Sequence, residues 1–198
     1  HIVTTQIEHP ATIETCRFLE RLGAEVSYLP VDREGMLDPE DVRRAITART
    51  ILVSVMHANN EVGTVQPISE VAAIAREHGV LCHTDAAQSA GKIPVDVGTL
   101  GVDLLTLAGH KLYAPKGIGM LYIKSGVELE PLIHGGGQED GRRSGTESIV
   151  MAVALGAACA LAESRLAANP LASTRDYFWE KLHQAFGDQV VQNAEGVK

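Results

Sequence analysis

Six short apolar runs, separated by stretches with helical spacing of apolar residues, restrict the fold of this 198-residue chain more than any other feature. The runs cover residues 2–5, 25–29, 51–55, 80–84, 104–107 and 118–123. Each has strand length, and the alternation predicts an α/β fold in which crossover helices join mostly parallel strands. The helices mark their own ends. Pro10 suits a first helical turn, apolar residues recur at Ile13, Cys16, Leu19 and Leu22, and Gly23 supplies the stop. Asp38-Pro39 caps a second helix running to Ile46, and Pro67 opens a third, with Val71, Ile74 and Ala75 before Gly79. Residues 148–166 are Ala-rich and apolar on most faces, which predicts a helix buried between layers or between subunits. After Asn169-Pro170 comes an amphipathic stretch over 171–186 and a strand-like Gln189-Val190-Val191. The expected fold is a mixed, mostly parallel sheet flanked by helices, incomplete at both ends. Residues 1–169 form one domain, and 170–198 open a second.

Composition removes several classes of function. At 45% apolar and 21% charged residues, the chain matches soluble globular proteins and not disordered or fibrous ones. A net charge of −8 argues against nucleic acid as a partner, because duplex binding needs clustered cations and only Arg142 and Arg143 are paired. The longest apolar stretch, 149–162, contains Gly156 and falls short of the roughly 20 residues a membrane span needs, so no membrane association is expected. Cys16, Cys82 and Cys159 are widely spaced and odd in number, which fits a reducing compartment, with the cytoplasm as default. No His or Cys pair has metal-ligand spacing, so no metal site is expected. The chain begins at His1 with neither a methionine nor a leader, and it reads as a segment of a longer protein.

In an open α/β sheet, ligands gather beyond the carboxyl ends of the strands. Three such ends carry polar residues: His57-Ala58-Asn59-Asn60-Glu61, Asp85-Ala86-Ala87-Gln88 and Gly109-His110-Lys111. An Asp at one end and a Lys at another make chemical sense together around a pyridine aldehyde. The amine condenses with the aldehyde, while the carboxylate keeps the ring nitrogen protonated so that the ring can accept electrons.

Five ordered motifs extend this pattern. They are Thr5-Gln6-Ile7-Glu8-His9, Met56-His57-Ala58-Asn59-Asn60-Glu61-Val62-Gly63, His83-Thr84-Asp85-Ala86-Ala87-Gln88-Ser89, Gly109-His110-Lys111-Leu112-Tyr113-Ala114-Pro115-Lys116-Gly117, and Gly135-Gly136-Gly137-Gln138-Glu139 with Arg143-Ser144-Gly145-Thr146. Together they resemble the cysteine desulfurases and selenocysteine lyases, members of the class V aminotransferase group of pyridoxal 5′-phosphate (PLP) enzymes of fold type I. The resemblance implies that Lys111 is the Schiff-base lysine, that Asp85 holds the pyridine nitrogen and Gln88 the phenolic oxygen, and that His9 stacks on the ring. It further implies that His110 donates to the phosphate, that Asn60 lies near the phenolic oxygen and substrate carboxylate, and that Thr146 reaches the phosphate of a neighbouring subunit in a homodimer. Plainer roles stand beside these: Asp85 as a helix cap, His9 as a helix-entry residue, His57, His83 and His134 as structural hydrogen-bonders, and the glycine run as a flexible turn.

Two departures bear on function. Family members carry a serine two residues before the motif histidine, where this chain has Ala108, a small apolar residue that resembles the selenocysteine lyases and some bacterial relatives more than the housekeeping desulfurases. One phosphate hydrogen bond, worth about 1 kcal/mol, is thereby missing. No cysteine fits the mobile nucleophile of a desulfurase, since Cys16, Cys82 and Cys159 all read as small buried hydrophobes. The resemblance therefore implies conversion of L-cysteine to L-alanine, with sulfur passing to an enzyme persulfide and on to an acceptor protein. This chain would carry the cofactor residues but not the nucleophile. L-Selenocysteine as substrate, or a non-catalytic remnant that dimerises or binds a partner, are the alternatives.

Overall fold

The computed structural model describes residues 1–168 and 170–193. In chain order these form β1 (Ile2–Thr5), α1 (Pro10–Arg21), β2 (Val26–Leu29), α2 (Pro39–Ala45), β3 (Leu52–Ser54), α3 (Ile68–Glu77), β4 (Leu81–Asp85), α4 (Val97–Leu100), β5 (Leu104–Ala108), a 3-10 turn (Gly109–Leu112), β6 (Gly119–Ile123), α5 (Ile149–Ala168) and α6 (Pro170–Phe186). One six-stranded sheet has the order β2-β1-β3-β4-β5-β6. All pairings are parallel except that of β5 with β6. The expected fold class and all six strands are present.

Local chemistry explains the helix ends. The His9 side chain accepts a hydrogen bond from the Ala11 amide at the start of α1, and Gly23, at φ +98°, turns the chain out of the helix. The Asp38 carboxylate caps α2 by accepting from the Glu40 amide. Val3, Val53, Val55, Cys82 and Leu105 bury one sheet face against Val42 of α2 and Val71, Ile74 and Ala75 of α3. Each fully buried aliphatic side chain contributes about 1.5–3 kcal/mol, so this interlock is the main source of stability.

The strand order positions the site. From β1 the chain steps outward to β2, then returns past β1 to β3 and continues in the opposite direction. Right-handed crossovers therefore put α1 on one face and α2, α3 and α4 on the other. Accordingly, Cys16, the buried residue of α1, is absent from the core packed by α2 and α3. The direction of winding reverses between β1 and β3, and the crevice beyond their carboxyl ends is the expected ligand position.

Several expectations are corrected. Gln189-Val190-Val191 is not a strand: Gly187–Gln189 is a 3-10 turn, and the residues that follow, up to 193, pair with no strand. Asn169 and residues 194–198 lie outside the described residues. α5 runs through Gly156 without a break and is not buried between layers. Leu155, Ala158 and Ala162 dock against the cluster of Ala90, Leu112 and Ala114, whereas Val150 is 79% and Val153 67% exposed. Cys159 faces away from that contact and is exposed, not buried. Over residues 149–166, α5 is also long and apolar enough to cross a membrane, contrary to the shorter stretch expected. It docks through Leu155, Ala158 and Ala162 onto Ala90, Leu112 and Ala114.

Gly109 joins β5 to the 3-10 turn that carries Lys111. A β-carbon there would lie 2.7 Å from the Ile118 carbonyl oxygen and 2.8 Å from Ile118 Cγ2, so only glycine fits without backbone movement. Gly109→Ala is expected to destabilise the fold by about 1–3 kcal/mol, read as a lower denaturation midpoint with an unchanged denaturant slope.

Candidate active site

The β1 and β3 ends are stitched together by two buried side chains. Glu8 Oε1 accepts from the Thr5 hydroxyl at 2.7 Å and from the Met56 amide at 2.9 Å. Asn59 Nδ2 donates to the Ile7 carbonyl at 3.0 Å, and its Oδ1 accepts from the Glu61 and Val62 amides, which folds the loop after β3. That turn leaves Asn60 exposed, its amide donating to the Glu61 carboxylate. His9 follows Glu8 directly. Its Nδ1 is committed to the α1 cap, so the helix-entry role is real and fixes the ring.

The next two strand ends bring in Asp85 and Lys111. Asp85 closes β4, and its Oδ1 accepts from the Ala87 amide at 2.8 Å, which shapes a turn; no helix starts here, so the helix-cap role expected of Asp85 is corrected, the next helix, α4, being capped by Asp96. Asp85 makes no ion pair among the described residues, which leaves its charge available. The His57 amide donates to the Asp85 carbonyl at 2.9 Å, and His57 Nδ1 meets Ser89 Oγ at 2.9 Å. His57 thus braces the turn that carries Gln88. His83 spans three strands through Ser54 Oγ and Thr106 Oγ1, each at 2.8 Å. Both histidines have the structural roles considered for them.

Because Asp85 registers with Thr106 and β5 ends at Ala108, His110 and Lys111 follow on the strand beside it. Both are exposed and have no hydrogen-bond or ion-pair partner among the described residues. The half-buried Gln88 has a side chain free of partners in the same sense, and its backbone carbonyl accepts from Lys92 Nζ at 2.9 Å.

Electrostatics separate the groups. Burial pushes the Glu8 carboxyl up to about 7, with the Asp85 charge adding to the rise and the bonds from Met56 and Thr5 opposing it. Burial lowers His57 and His83, the latter opposed by Asp85. Lys92 is lowered by burial and by the Lys111 charge. Lys111 thus has a cationic neighbour, Lys92, and stands exposed.

Lys92 and Lys111 border a cavity of about 540 Å³ closed by Tyr113, Pro115 and the Ala154–Ala162 face of α5. Tyr113 caps the 3-10 turn in the left-handed region at φ +66°, a strained conformation for a non-glycine residue. Thr146 lies exposed in the loop before α5, and its hydroxyl has no partner among the described residues. Ser144, donating to the Gly136 carbonyl, and the Gly145 amide, donating to Gln138, fold this loop on itself. No cluster of metal-binding side chains exists among the described residues.

The joining roles of Glu8 and Asn59 were not legible in the sequence. The only sequence signal for Glu8 was its position, an acidic residue just past a strand end and before a helix start. Its burial depends on β3 lying beside β1, which sequence order does not reveal.

Known proteins give the geometry its context. The family model described as aminotransferase class-V matches residues 1–189. Cysteine desulfurase IscS of Dictyoglomus turgidum is 50% identical over 190 residues, which are 95% of this chain and 48% of that protein. IscS of Methanosarcina thermophila is 52% identical over 166 residues, covering 84% and 41% of the two chains. A solved NifS-like protein superposes with a TM-score of 0.81 at 44% identity, over 84% of this chain and 46% of its own. "SspA in complex with cysteine" superposes at 0.78 with 47% identity, over 80% and 46%. The chain thus spans just under half the length of these relatives. With the switch-point crevice and its Asp85 and Lys111 strand ends, this match makes the chain a member of the class V aminotransferase family.

Proposed function

We propose that the whole protein is a PLP-dependent cysteine desulfurase, converting L-cysteine to L-alanine while its sulfur passes to an enzyme cysteine as a persulfide. The observation that carries the reading is an unpaired carboxylate, Asp85, and an unpaired amine, Lys111, at the ends of adjacent strands beyond the switch point. These groups fit the cofactor. A carboxylate without a cation suits a pyridinium nitrogen, a free amine suits an aldehyde, and Gln88 and Asn60 are polar side chains suited to the phenolic oxygen.

PLP, when bound, supplies an electron sink for charge developing at the α carbon of the amino acid. Asp85 holds the proton on the pyridine nitrogen by charge pairing. His9, fixed by its cap bond, covers the ring face, and His110 donates to the phosphate. Thr146 extends to the phosphate of a partner subunit, making the site dimeric. Lys111 serves as acid and base, moving protons at the α and γ positions of the substrate.

The thiol nucleophile is not among the cysteines of this chain. Burial pushes the Cys82 thiol up to about 12 and raises Cys16, which removes the thiolate at neutral pH. Cys159 is exposed, yet it does not line the cavity bordered by Lys111, although its neighbour Ala158 does. The nucleophile therefore belongs to a further part of the whole protein, in which residues 1–169 are the cofactor domain and 170–198 open a smaller one. We place the protein in the cytoplasm, as a homodimer delivering sulfur to an acceptor such as an iron–sulfur scaffold. A relative from Dictyostelium discoideum is named "Probable cysteine desulfurase, mitochondrial", and organelle import of this protein would overturn that location.

Ala108 favours a second substrate, L-selenocysteine. The test measures alanine release by the whole protein from both amino acids, with persulfide labelling. Alanine from L-cysteine with a labelled persulfide is expected. Release from L-selenocysteine alone would establish the lyase reading, and release from neither would overturn both.

A further inference from the structure

Glu8 is 94% buried, since only 6% of its surface is exposed, in the crevice where the sheet reverses its winding. Its two oxygens are treated differently. Oε1 accepts from the Thr5 hydroxyl and the Met56 amide, while Oε2 is sealed from solvent with no partner among the described residues. An ionised carboxylate in this arrangement would leave a buried oxygen bearing charge with nothing to stabilise it. A neutral acid is the less costly form, because its carbonyl oxygen with two lone pairs meets two donors and the unpartnered Oε2 then carries an uncharged hydroxyl in place of a charge.

We propose that Glu8 is a positioning residue of the cofactor site, its carboxyl acting as an uncharged clasp that holds the end of β1 to the end of β3. The inference rests on the PLP reading above. Through the clasp, Glu8 sets where His9, the next residue, stands relative to the Asn60 loop. The Asn59 bond to the Ile7 carbonyl ties the same two segments from the other side.

The surroundings reinforce the neutral form. Asp85 faces Glu8 from β4 and Cys16 faces it from α1, and the Asp85 carboxylate disfavours a second negative charge. The end of β3 offers only the Met56 amide. With a carboxyl at about 7, the uncharged clasp is intact below neutrality, and a second negative charge enters the crevice above it. That charge opposes an anionic cofactor and strains the junction. The folded value lies above the ordinary 4.5, so the stabilisation is fully present below about 4.5 and is lost as pH rises through about 7.

The test compares wild type, Glu8→Gln and Glu8→Ala in the whole protein without cofactor, titrating PLP from pH 6 to 8.5. Glutamine keeps the carbonyl acceptor without ever ionising, whereas alanine removes the clasp. Glu8→Ala is expected to bind PLP roughly tenfold more weakly at every pH, the loss of about 1.4 kcal/mol. Glu8→Gln is expected to match wild type at pH 6 and to bind more tightly above pH 7, by up to roughly tenfold, as one like charge is avoided. Without cofactor, the melting temperature of wild type is expected to fall relative to Glu8→Gln between pH 4.5 and 7.

If Glu8→Ala binds PLP as wild type does, Glu8 positions nothing. If Glu8→Gln is as weak as Glu8→Ala at pH 6, or if it melts in parallel with wild type across the pH range, the uncharged clasp is wrong. Either result leaves the cofactor reading standing, whereas failure of wild type itself to bind PLP overturns both.

Discussion

Replacing Lys111 with alanine is expected to abolish alanine release from L-cysteine, lowering kcat roughly 10³-fold or more while leaving the melting temperature unchanged. The two halves of this expectation have separate causes. Lys111 is exposed and bonds to nothing among the described residues, so its removal costs the fold no contact, and substitutions of that kind stay within about 0.5 kcal/mol. Chemically it has two tasks, covalent attachment and proton transfer, and a positioned acid–base group alone contributes about 10²–10⁴-fold. Arginine is expected to fail equally, because its guanidinium stays protonated and cannot act as a nucleophilic amine. Kinetics of the purified variants with L-cysteine, alongside their thermal denaturation, check both parts.

The second large effect belongs to Asp85→Asn. Asparagine keeps an oxygen where Asp85 Oδ1 accepts from the Ala87 amide, so the turn into Gln88 survives while the charge disappears. An opposing charge shifts a neighbouring group by about one to three pKa units, each worth about 1.4 kcal/mol. The expected loss in kcat is therefore about 10- to 10³-fold, with KM for L-cysteine little changed, because the defect lies in stabilising charge during reaction and not in holding substrate. Asp85→Ala is expected to add a folding defect that Asp85→Asn lacks, and comparing their melting temperatures separates the turn bond from the charge.

The elements legible in the sequence were those that declare themselves locally. Alternating apolar runs marked all six strands, and Pro10, Gly23 and Asp38 marked helix ends because each acts locally, Pro10 and Gly23 through their backbone and Asp38 through its carboxylate. Properties set by neighbours distant in sequence were hidden. Cys159 reads as a buried hydrophobe within its Ala-rich segment, but only the Leu155, Ala158 and Ala162 face of α5 finds a surface to pack on. Gln189-Val190-Val191 has strand composition, yet no neighbouring strand is there to pair with it. Lys111 stands exposed beyond β5, and its cationic neighbour Lys92 comes from the turn after β4, a proximity set by the fold. His9 was readable as either helix entry or ligand, and its cap bond to the Ala11 amide fixes the ring; Asp85 was readable as a helix cap, but its bond to the Ala87 amide closes a turn with no helix after it.

Borohydride reduction of the whole protein with its cofactor, followed by peptide mapping, tests the central claim most directly. Reduction locks a carbon–nitrogen double bond into a stable one and so marks the lysine that carries PLP. The account predicts a single phosphopyridoxyl group on Lys111 in wild type and none in Lys111→Ala. A phosphopyridoxyl group on Lys92, on Lys116 or on any other residue would contradict it.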